Sequence, residues 1–273
     1  IVFGDWSSDV CSSDLRLRGL IDAREIIIFG AIMDSRSGAV IEMMQDTGFD
    51  AVLIDREHTA LGTETVLEHI RLARVMDFPV MVRAADHSYH EINRLLDQAP
   101  DGVFVPRIRS REEAEAIVRT VKYPPEGIRG LGASTCPAAK YMGWDSPGAM
   151  VDYWQRNLVV GIQIETAEAL ADLDGILSVP GLDVAVVGND DLSIGMGILG
   201  EFESEEYIQA VRKVIAACNR HGVVPGIACG DPAKVRFWVD EGMRVFWYAA
   251  DICLMWSAAR QGMDALRSAL GAE

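Results

Sequence analysis

Four apolar runs in this chain lead directly into charged or amide side chains. Val52-Leu53-Ile54 is followed by Asp55, Arg56, Glu57 and His58, and Val80-Met81-Val82 by Arg83. Val160-Gly161-Ile162 leads to Gln163, Ile164 and Glu165, and Val186-Val187-Gly188 to Asn189, Asp190 and Asp191. One acid after a strand is ordinarily a solvated loop charge, but four such clusters at the same end of four runs point to a shared site. Glu165 and Asp191 are hard oxygen ligands with no nearby cysteine and no metal-spaced histidine pair. That donor set suits Mg²⁺ or Mn²⁺ better than Zn²⁺. Arg83 offers a planar fork for a carboxylate or a developing enolate oxygen. His58 is a candidate proton carrier, because an unperturbed imidazole titrates near neutrality, and Asp55 and Asp97 are the acids available to orient it. The other histidines, His69, His87, His90 and His221, carry no spacing signal and read as surface or capping residues. Lys122, Lys140, Lys213 and Lys234 all fall in predicted helices or loops. No strand lysine is therefore available as a Schiff-base nucleophile, and a keto-acid substrate would need a metal as its electron sink.

The elements that must position these residues alternate along the chain. Apolar runs bounded by turn residues occur at Ile26–Ile32, Ala51–Asp55, Pro79–Arg83, Gly102–Pro106, Val159–Glu165, Val184–Gly188, Val223–Ala228 and Val245–Ala249. Such continuous runs read as strands buried on both faces of a parallel sheet. Between them lie amphipathic stretches, among them Thr63–Met76, Arg111–Val121 and Ser204–Arg220, each with apolar residues at helical spacing. Asp231-Pro232 pairs an N-cap residue with proline at the first helical position. Eight strand-plus-helix units predict a (β/α)8 barrel, whose active site lies where the strands end. An open doubly wound sheet is the rival. No GxGxxG follows the first strand, which argues against a dinucleotide fold. Gly127-Ile-Arg-Gly130-Leu-Gly132 has the spacing GxxGxG and reads as a loop whose glycines take positive φ.

The 273 residues are 49% hydrophobic and 24% charged, a globular balance, and the length suits one such barrel. A net charge of −16 repels phosphate backbones and anionic lipid, so neither nucleic acid nor a membrane surface is an expected partner. The apolar runs are too short to span a bilayer. Five cysteines without a CxxC pair predict neither a disulfide framework nor a zinc cluster, and a reducing, cytoplasmic setting fits them. Ile1–Leu15 has no helical or strand period and no signal-peptide pattern, and it resembles translated adapter sequence. We set it apart as a non-native or disordered leader, with 16–273 as a single barrel domain. Removing Asp5, Asp9 and Asp14 with it leaves the remainder strongly acidic.

From Arg16 onward the chain resembles the HpcH/HpaI aldolases, the metal-dependent class II pyruvate aldolases. The resemblance is carried in order by Gly48–His58 (GFDAVLIDREH), Pro79–Arg83 (PVMVR), Leu95–Asp97 (LLD), Tyr123–Gly132 (YPPEGIRGLG), Gln163–Thr166 (QIET) and Gly188–Gly197 (GNDDLSIGMG). It implies a phosphoenolpyruvate/pyruvate-binding type barrel, usually a homohexamer built from dimers. It implies cleavage of a 4-hydroxy-2-oxo acid to pyruvate and an aldehyde, with the reverse aldol addition. By position it implies Glu165 and Asp191 as ligands of Mg²⁺ or Mn²⁺, with Co²⁺ a third choice. Arg83 would stabilise the enolate, and His58 would lie in the proton path with Asp97 raising its basicity. Gln163 and Asp190 would line the pyruvate site. The chain departs from the pattern at Gly188-Asn-Asp-Asp-Leu192 in place of GPADL, at Asp86 in place of an aromatic and at Ala99 in place of glycine. Rival readings are a keto-diacid decarboxylase, an enzyme condensing the enolate with a ketone, and a non-catalytic oligomer that binds a keto acid. The intact set of Glu165, Asp191, Arg83 and His58 argues against the last. The helix candidate Ile252–Leu270 opens on Cys253, Leu254, Met255 and Trp256, an apolar end that predicts either a core helix or a subunit contact.

Overall fold

The computed structural model describes residues 12–132 and 134–271. Every predicted run becomes a parallel strand: β1 Ile27–Ile32, β2 Ala51–Asp55, β3 Val80–Arg83, β4 Gly102–Val105, β5 Val159–Ile164, β6 Val184–Val187, β7 Val224–Ala228 and β8 Val245–Ala250. They pair in chain order, and β1 closes on β8. Helices return the chain between strands, so the fold is the (β/α)8 barrel and not the open sheet. The apolar runs are continuous because each strand is packed on both sides. In β4, Phe104 points into the barrel, where its ring meets Trp247 at 5.0 Å, while Val103 and Val105 face the helices. Helix starts follow their caps. Ser204 Oγ accepts from the Tyr207 amide, Ser110 Oγ from Glu113, and the Asp231 carboxylate from Ala233.

Of the segment Ile1–Leu15, residues 1–11 lie outside those described. A helix begins at Ser12 and runs to Asp22. Its Leu17 and Ile21 join the barrel's interior apolar cluster, and Arg18 donates to the Asp183 carboxylate and the Leu158 carbonyl, each at 2.6 Å. Leu158 and Asp183 precede β5 and β6, so this helix closes the end of the barrel opposite the mouth. Among the described residues, Cys136, Cys218, Cys229 and Cys253 are free thiols, and no helix is long and apolar enough to cross a membrane.

Three expectations need correction. His69 is not a surface residue. It is 1% exposed on the helix Thr63–Val75, where burial lowers its pKa. The glycines of Gly127–Gly132 do not take positive φ. Gly127 serves close approach instead, since a Cβ there would overlap the carbonyls of Arg119 and Lys122. The third concerns the helix Asp251–Ala269, which is no core element. Only Asp251 is buried in it, and Trp256, Met263, Leu266 and Leu270 form an exposed apolar stripe. Ala99, standing where the resembling family has glycine, has φ of 66°, a region that L residues enter only with strain.

Asp251 latches the barrel's closing seam. Its carboxylate accepts from the amides of Met33, Asp34 and Ser35, in the loop that follows β1, and from Ile252 at the start of its own helix. The first and last units of the barrel are thus joined through one buried carboxylate.

Candidate active site

Strand ends bring Asp55, Arg83, Gln163, Glu165, Asp190, Asp191 and His58 to the wall of one cavity of about 520 Å³. At its base runs a chain of polar contacts. Arg83, 8% exposed, donates Nε to Asp55 Oδ1 and Nη2 to Asp55 Oδ2, both at 2.7 Å. Its Nη1 lies 3.3 Å from Gln163 Oε1 and 3.1 Å from Glu57 Oε2. Gln163 Nε2 then donates to Glu165 Oε2 at 2.7 Å. The register makes this possible: Asp55 pairs beside Arg83 across β2 and β3, and Gln163 and Glu165 are one alternation apart at the end of β5. The Trp247 ring of β8 supports the Arg83 guanidinium at 5.5 Å. Burial alone would lower the Arg83 pKa, but the bonds to Asp55 together with the charges of Asp55, Glu57 and Glu165 outweigh it and raise the value, so the side chain stays charged.

The opposite side of the cavity is acidic. Glu165 accepts from the Arg107 amide at 2.6 Å, and Arg107 Nη1 lies 3.1 Å from Asp191 Oδ1. Burial pushes the Glu165 carboxyl up to about 7, with Glu57 and Asp191 adding like charge. Asp190 and Asp191 open the helix Asn189–Gly195. Gly188 sits so tightly against Glu165 that a Cβ would overlap its Oε2. These acids fit a divalent cation, since a positive ion would offset the burial and the like charge that hold the Glu165 carboxyl up at about 7. Among the described residues no group of three or more His, Cys, Asp or Glu side chains is gathered in ligating positions. The protein's share of such a site would be the two carboxylates Glu165 and Asp191.

Two sequence expectations meet a different geometry. The His58 ring, exposed at the rim, is approached by Glu57 at 3.5 Å, not by Asp55. Asp55 spends its oxygens on Arg83 and on the amides of Glu57 and His58. Asp97 is apart from both. It closes the helix Tyr89–Leu96, which carries the chain away from the mouth end of β3. It lines a separate cavity of about 530 Å³ with Tyr89, Gly132 and Cys136. There burial raises its pKa against the pull of Arg129, 3.6 Å away.

Arg107 and Trp247 belong to the site without a signal in the sequence, and Glu57, one of the charged residues that follow β2, joins them with a role its cluster alone does not assign. Glu57 pairs with Arg83 and lies near His58, and burial raises its pKa. Its signal is local: an aspartate accepting the amide two residues on makes an Asx-type turn, which swings the intervening DREH segment back over the strand end. Arg107 contributes a backbone amide, which no side-chain pattern reveals, from a residue with φ of 55°.

Known proteins match this chain over most of its length. The family model HpcH/HpaI aldolase/citrate lyase matches residues 29–257. The 4-hydroxy-2-oxo-heptane-1,7-dioate aldolase of Shigella sonnei (strain Ss046) is 31% identical over 235 residues, covering 85% of this chain and 86% of that protein. The crystal structure of an HpcH/HpaI aldolase from Desulfitobacterium hafniense DCB-2 superposes with a TM-score of 0.87 at 26% identity, over 92% of this chain and 96% of the other. The citrate synthase SbnG superposes with a TM-score of 0.81 at 25% identity, over 93% and 98%. The chain belongs to the HpcH/HpaI aldolase/citrate lyase family.

Proposed function

We propose that this chain is a metal-dependent aldolase that cleaves a 4-hydroxy-2-oxo acid to pyruvate and an aldehyde and catalyses the reverse addition. The observation that carries this reading is the continuous network Asp55–Arg83–Gln163–Glu165 beside Asp191 in one cavity. Glu165 and Asp191 would hold Mg²⁺ or Mn²⁺, which supplies Lewis acidity toward the keto acid's oxygens. Arg83, fixed by Asp55, holds the oxygen that becomes the enolate. Gln163, anchored to Glu165 and Arg83, orients the keto-acid end. His58 takes the proton from the C4 hydroxyl. The O–H pair becomes the aldehyde C=O, the C3–C4 bond breaks, and its electron pair enters the enolate. A solvent proton then adds at C3 to give the pyruvate methyl group, and His58 returns its proton to solvent. Asp97, remote from His58 within one chain, has no step assigned to it.

The likeness to a citrate synthase supports a second reading, in which the same enolate is condensed with a ketone. Pyruvate methyl-proton exchange in D₂O tests what the two readings share. We expect exchange in protein reloaded with Mg²⁺ or Mn²⁺ and none after chelation. Absence of exchange with any metal, in folded protein, would sink the aldolase reading.

We further propose that the chain self-associates through its last helix. Trp256, 65% exposed, and Leu270, 81% exposed, lie on one apolar stripe with Met263 and Leu266. Light scattering should give a mass that is a multiple of 29.9 kDa. A Trp256→Glu, Met263→Glu double variant should lower it while the far-UV spectrum is retained. A monomeric parent protein would exclude this contact.

A further inference from the structure

One carboxylate oxygen in this site approaches two functional side chains and accepts a hydrogen bond from neither. Glu57 Oε2 lies 3.1 Å from Arg83 Nη1 and 3.5 Å from His58 Nε2. Among the described residues, this buried oxygen has no hydrogen-bond donor. An acceptor left in that state costs free energy and calls for a role or a partner. We infer that Glu57 positions His58: it turns the imidazole with Nε2 toward itself, leaves Nδ1 to take the C4 hydroxyl proton, and balances the charge that His58 then carries. The inference rests on the aldolase reading and adds a residue to its proton path.

The turn after β2 fixes the arrangement. Asp55 Oδ1 accepts from the Glu57 amide at 2.9 Å and Asp55 Oδ2 from the His58 amide at 3.3 Å, while the same carboxylate holds Arg83. Thr59 Oγ1 donates to the Asp55 carbonyl at 2.8 Å and closes the turn. The backbone of Glu57 and His58 is thus set by the group that sets Arg83. Other acids are engaged elsewhere. Asp55 meets His58 through its amide, and Asp97 faces Arg129 in the separate cavity. A neutral imidazole donates at one ring nitrogen and accepts at the other. A carboxylate at Nε2 therefore selects the tautomer whose Nδ1 is the base. When Nδ1 takes the proton, the ring becomes a cation beside Glu57, and the carboxylate offsets that charge. Burial raises the Glu57 pKa, and the charges of Arg83 and His58 act against it, so carboxylate and imidazolium each favour the other's charged form. A contact of 3.5 Å is long for a hydrogen bond, and catalytic contacts of this kind tighten as substrate is bound.

The test is a double-mutant cycle at saturating Mn²⁺, with cleavage of 4-hydroxy-2-oxo-heptane-1,7-dioate as the reaction. Glu57→Gln keeps the shape and removes the charge. We expect it to lower kcat by about 10-fold to 100-fold, within the roughly 10²–10⁴-fold that a positioned base supplies, and to leave KM nearly unchanged. In a His58→Gln background the same substitution should cost about twofold or less, because its effect passes through the ring. An equal loss in both backgrounds would assign Glu57 to Arg83 or to the fold and overturn the inference, as would an unchanged kcat. A second readout needs no cleavage and decides alone if the parent does not cleave this probe. In ¹⁵N-histidine spectra, the His58 signals are those absent from His58→Gln. They should show the Nε2–H tautomer in the parent and a mixture in Glu57→Ala. The Nδ1–H tautomer in the parent, or no change in Glu57→Ala, overturns the inference. Pyruvate proton exchange in the parent separates the two readings. Exchange beside a failed cycle or spectrum leaves the aldolase reading intact, and absence of exchange with any metal overturns both.

Discussion

Arg83→Lys lowers turnover by about 10²–10³-fold while the protein stays folded. That range is the loss seen when one preorganised donor to a developing oxyanion is removed. Lysine keeps a positive charge between Asp55 and Glu57 but has no fork. It cannot hold both Asp55 oxygens, now at 2.7 Å each, and still present a donor to the substrate. Arg83→Ala is the harsher change, because it strands two carboxylates that are both largely buried. Breaking a buried pair this way costs about 3–5 kcal/mol of stability, so alanine confounds folding with catalysis. The decisive measurement is kcat for Arg83→Lys beside its circular dichroism and its metal affinity. An unchanged kcat in a folded variant would remove Arg83 from the chemistry. Unchanged metal affinity beside a fallen kcat would localise its effect to the enolate oxygen.

The second large effect concerns Glu165. Its carboxyl is raised from 4.5 to about 7 by burial and by its acidic neighbours. Between those values the folded, metal-free protein holds a proton that the unfolded chain has released. The sign follows from linkage: this group stabilises the apoprotein at lower pH, and the contribution is lost as pH rises through about 7. Metal binding has the opposite dependence, because the proton must leave first. Apparent affinity for Mn²⁺ should rise about fivefold from pH 6 to pH 7, as expected for competition with one proton titrating near 7, and flatten above pH 8. Saturating metal, at about 100 times Kd, adds about 2.7 kcal/mol of stability, a readily measured rise in Tm. In Glu165→Gln the ligand charge is gone. The Mn²⁺-dependent rise in Tm, its pH dependence and the pyruvate exchange should disappear together. A Glu165→Gln protein that still gains stability from Mn²⁺ with the parent's pH profile would place the metal elsewhere.

The barrel was legible because its signal is redundant. Eight apolar runs, each packed on both sides, predict strands that the structure places within one residue at either end. The site was legible where function sits on a strand end. Asp55, Arg83, Gln163 and Glu165 converge because the barrel forces their strands to end on one rim, so order along the chain sufficed. What escaped depends on turns, backbone groups and tertiary neighbours. Glu57 enters through an Asx-type turn, and Arg107 through an amide that any residue would carry. His69 looks like a surface histidine on a helix, and only the packing of the barrel shows it to be buried. Asp97 stands near Arg83 in sequence, yet it closes a helix that leads away from the mouth, a direction that spacing alone does not encode.

The carboxylate of Asp251 makes the last helix and the loop after β1 into a single lever. Met33, whose amide it holds, also forms part of the cavity wall. A torque on the exposed arm Ile252–Ala269 is therefore borne at the fulcrum by three backbone amides, Met33 to Ser35, the first of them belonging to a residue of the cavity wall. A neighbouring subunit gripping the arm would stiffen the aperture, and an occupied aperture would favour the gripped arm by the same free energy.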